Sequence, residues 1–182
     1  MSFEQLWAGW RSRYVSSVAV GETPEPVESL ESPDDVGLSG GEASCVFCRI
    51  IASREPDEVR HVVWTGERTI AILNAYPYAS GHMLIMPTRH VGELEDLEAP
   101  EAAELWAAVT GAVSALRDAY RPDGFNVGLN LGRAAGAGIP GHLHVHTMPR
   151  WSGDTNFLTV AAAVRVMPES LGDSWAKLRA AW

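Results

Sequence analysis

The chain has 182 residues, 46% of them hydrophobic, and a formal net charge of -9. That length supports one ordinary hydrophobic core, and no apolar run approaches the length of a membrane span. The opening Met1-Ser2-Phe3-Glu4-Gln5-Leu6-Trp7 lacks the basic and apolar regions of a secretory signal, and no basic stripe marks a nucleic-acid surface, so a soluble, cytoplasmic protein with no membrane or nucleic-acid partner is expected.

Leu6, Trp7, Trp10 and Tyr14 recur at helical spacing and predict an amphipathic N-terminal arm over residues 1–19. Residues 20–44 read as an extended linker or surface loop, rich in Pro, Gly and Ser. Between Glu22 and Ser44 lie seven acids and no Lys or Arg; outside them 16 acids face 14 bases, a net of -2, so the acidity is local. The only two cysteines follow, in Cys45-Val46-Phe47-Cys48. This spacing suits a redox pair, a disulfide or half of a zinc site. A redox pair is expected at a helix start within a βαβ pattern, a disulfide is uncommon in the cytoplasm, and zinc needs two further N or S ligands.

From there the body, residues 45–182, reads as α+β. His61 to Thr65 and Thr69 to Leu73 are apolar, β-rich runs joined by Gly66-Glu67-Arg68, a hairpin signal, and His82 to Pro87 is a third strand. A long helix is predicted from Ala99 to Tyr120: Pro100 suits a first helical position, Glu101 and Glu104 favour the first turn, and Leu105, Val109, Val113, Leu116 and Tyr120 form one stripe. Pro122-Asp123-Gly124 turns the chain into a strand from Phe125 to Asn130. The glycine-rich Gly132 to Gly138 then precedes His142-Leu143-His144-Val145-His146. Alternation along a strand puts the three imidazoles on one face and Leu143 and Val145 on the other. This strand is expected to close an antiparallel sheet. Short strands are expected within Asn156 to Met167, and a final helix over Pro168 to Trp182. Backbone N–H groups of the glycine loop, with the cation of Arg150, suit an anion such as phosphate.

His142 to Arg150 resembles the signature of the histidine triad superfamily. Asn74-Ala75-Tyr76-Pro77-Tyr78-Ala79-Ser80-Gly81-His82 is similar to that family's segment leading into its central sheet, and Phe125 to Gly132 to its strand and turn before the triad. The N-terminal segment and Trp151 to Phe157 are similar to a bacterial subgroup related to diadenosine tetraphosphate phosphorylases. The resemblance implies a homodimer with one sheet continuous across the subunits. It implies a structural zinc ion held by Cys45, Cys48, His90 and His142, by analogy with the family's zinc-bearing branch. It implies that His144 attacks the α-phosphorus of a nucleotide and that His146 binds phosphate oxygens or handles the leaving-group proton. Asn74 matches a ribose contact, His82 a fourth histidine, Asn130 a phosphate contact and Gly138 the anion-cradling loop. Ala137 to Gly141 carries no Ser, Thr or Gln where relatives have a side-chain donor. The expected activity is cleavage of a dinucleoside polyphosphate with phosphate or water as acceptor; a binding module with weak activity on phosphoramidates or other small nucleotides is the alternative. A metal hydrolase using the triad as ligands fits less well, since no carboxylate follows at ligand spacing.

Overall fold

The computed structural model describes residues 42–155 and 168–182, so the readings at Leu6–Tyr14, most of the acidic linker and the strands within 156–167 lie outside the described residues. Among the described residues, 42–151 with 168–182 form one compact body. Its helices are α1 (Val46–Ala52), α2 (Asp57–Arg60), α3 (Ala99–Tyr120) and α4 (Leu171–Ala181). Its strands are β1 (Val62–Thr65), β2 (Thr69–Leu73), β3 (Met83–Pro87), β4 (Gly124–Leu129) and β5 (Val145–Arg150), in the spatial order β1-β2-β3-β5-β4 with every neighbour antiparallel. The strand–strand–strand–helix–strand–strand succession of the sequence is the one observed. No described helix is long and apolar enough to cross a membrane.

Both faces of the sheet are covered, which is why β2 and β3 are buried at all five positions and read as continuous apolar runs. Ala71, Leu73, Met83, Ile85, Leu143 and Val145 pack with Leu105, Ala108, Val109, Ala112 and Leu116 of α3. Their alternates Ile70, Ile72, Leu84 and Met86 pack with Cys45 and Phe47. The α3 bounds agree with the sequence reading. Its buried face runs through Ala108, Ala112 and Ala115, while Val113 is only half-buried. Small alanines let the helix lie close on the sheet, a role that stripe-counting of large residues overlooks.

One expectation is corrected. The triad strand does not close the sheet: β5 lies between β3 and β4, pairing Leu84 with His146 and Gly128 with the same residue from the other side. The α3 crossover carries the chain past the position β5 later fills, so β4 becomes the outer strand. By its hydrogen bonds β5 also starts at Val145; Leu143 N donates instead to Val91 O, at 2.6 Å. The backbone stays extended enough for the alternation to hold.

Candidate functional site

Three segments bring the ligand cluster together. Cys45 caps the start of α1 and Cys48 lies in its first turn; His90 follows β3; His142 leads into β5. The ligand atoms of Cys45, Cys48, His90 and His142 all lie within 4.8 Å of one another. Cys45 Sγ and Cys48 Sγ are each 3.5 Å from His142 Nδ1, and Cys48 Sγ is 3.3 Å from His90 Nδ1. A tetrahedral zinc ion with ordinary Zn–S and Zn–N bonds needs N···S edges of about 3.5 Å, so the donor set fits. The two cysteines are not disulfide-bonded. His142 Nε2 lies 2.9 Å from Pro87 O, so that nitrogen carries the proton and Nδ1 keeps its lone pair towards the thiols. Burial lowers the His142 pKa to about 4, and burial followed by the Cys45 thiol raises that of Cys48 to about 12. Burial thus keeps His142 neutral with a lone pair to give, and holds Cys48 as a thiol whose thiolate a divalent cation would stabilise.

Beside this cluster, His144 is 7% exposed. Its Nδ1 is 2.7 Å from His142 O, an acceptor only, so Nδ1 bears the proton and the lone pair sits on Nε2. Burial lowers its pKa as well, which keeps the ring neutral. Phe47 packs edge-on against both His142 and His144, with centroids 5.5 and 5.1 Å away. Sequence reading missed Phe47; its place inside the Cys-x-x-Cys loop was the available signal.

His146 lies next along this face, its ring centroid 5.1 Å from those of His144 and His82. His82 is 1% exposed, and its Nε2 is 2.9 Å from His146 Nδ1. Tyr78 N donates to His82 Nδ1 at 3.1 Å, and Asn74 Nδ2 reaches the same atom at 3.4 Å. The Asn74 amide is oriented by its Oδ1, which accepts from Tyr76 N at 3.0 Å. With Nδ1 accepting, His82 carries its proton on Nε2 and donates to His146 Nδ1. His146 therefore carries its own on Nε2. The site thus offers a lone pair from His144 Nε2 beside a His146 ring oriented by His82.

Asn130 and Gly138 sit on the loop between β4 and β5. Asn130 Nδ2 donates to Gly136 O at 3.4 Å, bracing the loop; Gly138 is exposed, with nothing within 4 Å of where a Cβ would stand. Arg89, beside His90, was also missed by sequence reading. Its guanidinium forks onto Glu101 at 2.8 and 2.6 Å and donates to Asp96 O, tying the His90 loop to α3.

The chain is 38% identical to a Mycobacterium tuberculosis protein named AP-4-A phosphorylase, across 98% of its own length and 84% of the relative's. The crystal structure of a Zn-bound histidine triad family protein from Mycobacterium smegmatis superposes with a TM-score of 0.63 at 31% identity, covering 78% of this chain and 94% of that one. A histidine triad nucleotide-binding protein from Sulfolobus tokodaii gives 0.62 at 30% identity, covering 75% and 91%. The HIT domain matches residues 55–153, which include β1 to β5 and all three triad histidines, and the chain belongs to the HIT family.

Proposed function

We propose that the protein is a nucleotidyl-transferring enzyme that cleaves dinucleoside polyphosphates of the diadenosine tetraphosphate type at an α-phosphate, through a nucleotidyl-histidine intermediate on His144. The observation that carries this reading is the tautomer of His144: its Nδ1–H is held by the His142 carbonyl, so Nε2 is a neutral nucleophile before substrate arrives. Neighbouring His146 supplies an N–H to a phosphoryl oxygen, stabilising charge as it develops. Asn74, His82, Asn130 and Gly138 are assigned to the nucleotide subsite, with His82 acting through His146 rather than on the substrate. The name of the Mycobacterium tuberculosis relative supports the choice of substrate class.

Cys45, Cys48, His90 and His142 are proposed to hold a structural zinc ion. With four protein ligands the site would be closed to substrate, and the residues holding the ion would tie α1, the segment after β3 and the start of β5 together. By fixing His142, this chain's own residues fix the carbonyl that orients His144. A homodimer is proposed as the assembled form.

The test is product analysis with diadenosine tetraphosphate, together with quenching in alkaline denaturant to trap labelled nucleotide on the protein. Wild type should form a transient, acid-labile adduct, and His144→Ala should form none and lose at least about 1,000-fold in kcat. Zinc should remain near one per chain in His144→Ala and be lost in Cys45→Ser. Tight nucleotide binding without turnover would reject the enzymatic reading; zinc lost from His144→Ala alone would reject the ligand assignment.

A further inference from the structure

We infer that Gly92 is a positioning residue for the phosphate-cradling loop. Having no side chain, it lets the His90 segment seat on the backbone of Pro140 and Gly141, so that metal at the Cys–His cluster and nucleotide at the triad bind cooperatively. The inference rests on the nucleotide and zinc readings above and adds to them the contact that joins the two sites.

Nothing in the sequence singles out Gly92; its surroundings do. A Cβ built there would lie 2.9 Å from Pro140 O, 3.3 Å from Gly141 Cα and 3.4 Å from Gly141 C. All three are backbone atoms, which cannot swing aside as the end of a side chain can, so the close approach calls for glycine. The loop's own Gly132 and Gly138 have nothing within 4 Å of a Cβ position. Space is scarce only where the loop meets the His90 segment.

That segment is the more firmly held of the two partners. Arg89 forks onto Glu101 of α3, and Val91 O accepts from Leu143 N at 2.6 Å. Val91 is buried, whereas residues 131–135 and Gly138 of the loop are exposed. The His90 ring faces both sites: its Nδ1 lies 3.3 Å from Cys48 Sγ, and its Cε1 and Nε2 lie 3.7 Å from a Cβ position at Gly141. Ile139 packs on the core cluster that contains Cys45 and Phe47. The chain then enters His142, itself in the ligand set, whose N–H donates to Ile139 O at 3.3 Å. Residues 139–142 thus rest on, or run into, the same residues that would hold the ion.

With those four ligands gathered, the surface under Pro140 and Gly141 is fixed and the loop is set before nucleotide arrives. With them released, nucleotide must order the loop itself, and that cost weakens its binding. Linkage makes the effect reciprocal: whatever factor the metal adds to nucleotide affinity, nucleotide adds to metal affinity.

The test uses AMP as probe and the full chain, zinc-loaded or treated with a chelator, and reads binding rather than turnover. Calorimetry should show AMP bound about tenfold more tightly by the loaded form, and chelator competition should show zinc held about tenfold more tightly at saturating AMP. Amide exchange at residues 137–142 should slow at least about tenfold on loading, while α3 amides stay protected in both forms, which marks the change as local. In Gly92→Ala the loop is pushed off its seat. The variant should keep zinc in the absence of nucleotide, yet its AMP affinity with and without the ion should agree to within about twofold. A glycine with only a structural role would lower stability and leave the ratio of affinities intact, and that result overturns the inference. So does a wild-type ratio of one, or loop exchange that zinc does not alter. Zinc lost from folded Gly92→Ala would show that the His90 segment yields instead, and also overturns it. Should Gly92→Ala not fold, Ile139→Ala carries the same test. It removes packing between loop and cluster without adding a clash, and should cut the ratio below about threefold. An unchanged ratio there rejects the tether. Absence of AMP binding in the loaded wild type, with loop exchange still slowed by zinc, would reject the nucleotide reading and leave the contact between the two sites standing.

Discussion

Glu101 is a carboxylate 6% exposed, and its surroundings hold it charged. Arg89 donates to both of its oxygens, and Glu98 N donates to Oε2 at 2.9 Å, closing the capping box that starts α3. The Arg89 hydrogen bonds are the main cause that lowers its pKa to about 2, against the opposing effect of burial. An unfolded chain would titrate this group near pH 4.3, so between about pH 4.3 and 2 the unfolded state binds more proton. The stability it contributes is therefore complete above that window and is lost as pH falls through it. Urea unfolding should show Glu101→Gln less stable than wild type at pH 6, with the gap narrowing as pH falls from about 4.3 towards 2; a gap independent of pH would refute the assignment. Gly81 presents a different constraint. Its φ is +75°, and an added Cβ would lie 2.7 Å from Cε2 of Tyr120. Left-handed backbone and the contact together should cost Gly81→Ala about 2 kcal/mol, read by the same unfolding experiment. A loss below about 0.5 kcal/mol would show that Tyr120 moves aside freely.

At the scale of elements, α1 has seven residues, no side-chain cap, and too few turns to be stable in isolation. Its anchors are Phe47 in the second core cluster and the two thiols at the ligand cluster. Removing zinc with a chelator should therefore speed amide exchange across residues 46–52 by at least about tenfold and leave α3 protected, since α3 is held by the larger core. Equal exchange with and without metal would mean that the apolar packing of Phe47, Val46, Ile50 and Ile51 holds the helix without the ion. The same contrast explains what was legible in the sequence. The bounds of α3 were readable because Pro100, its acids and its apolar spacing all act locally, and β2 and β3 because two-sided burial makes apolar runs. The helices α1 and α2 were not anticipated: seven and four residues give no periodicity, and α2 ends at His61 in left-handed backbone, φ 55°, which a histidine rarely signals. The placing of β5 inside the sheet depends on pairings with β3 and β4 across more than 60 and about 20 residues of chain, and no window of sequence carries them. The triad and the Cys–His set were legible as residue types at a spacing. Their tautomers were not, because these are set by Pro87 O, His142 O and Tyr78 N, backbone atoms whose direction only the fold determines.

For the molecule as a whole, the two outer strands are treated differently. On β1, Trp175 Nε1 donates to Val62 O at 2.8 Å and Arg179 Nη1 to Val63 O at 3.0 Å, while Trp182 of the C-terminus stacks on Trp64. Helix α4 thus covers that side of the sheet. Among the described residues β4 has a neighbour on one side only, its middle residues Asn126, Val127 and Gly128 are exposed, and Val127 is 44% exposed. An open, partly apolar edge invites pairing with another strand. We assign that edge to a second copy of the chain, as the family resemblance implies. Such pairing would brace the loop from Asn130 to Gly141, which leaves β4 directly and carries Gly138 towards the triad. Val127→Lys adds a charge to the edge without touching the triad or the ligand cluster. Sedimentation should show wild type as a dimer and the variant shifted to monomer, with the dimer dissociation constant raised at least about tenfold. Zinc content should stay the same, and nucleotide affinity should fall, because the loop loses its brace. A variant that remains dimeric would move the interface away from β4. Monomers with undiminished affinity would show that the loop is organised within one chain.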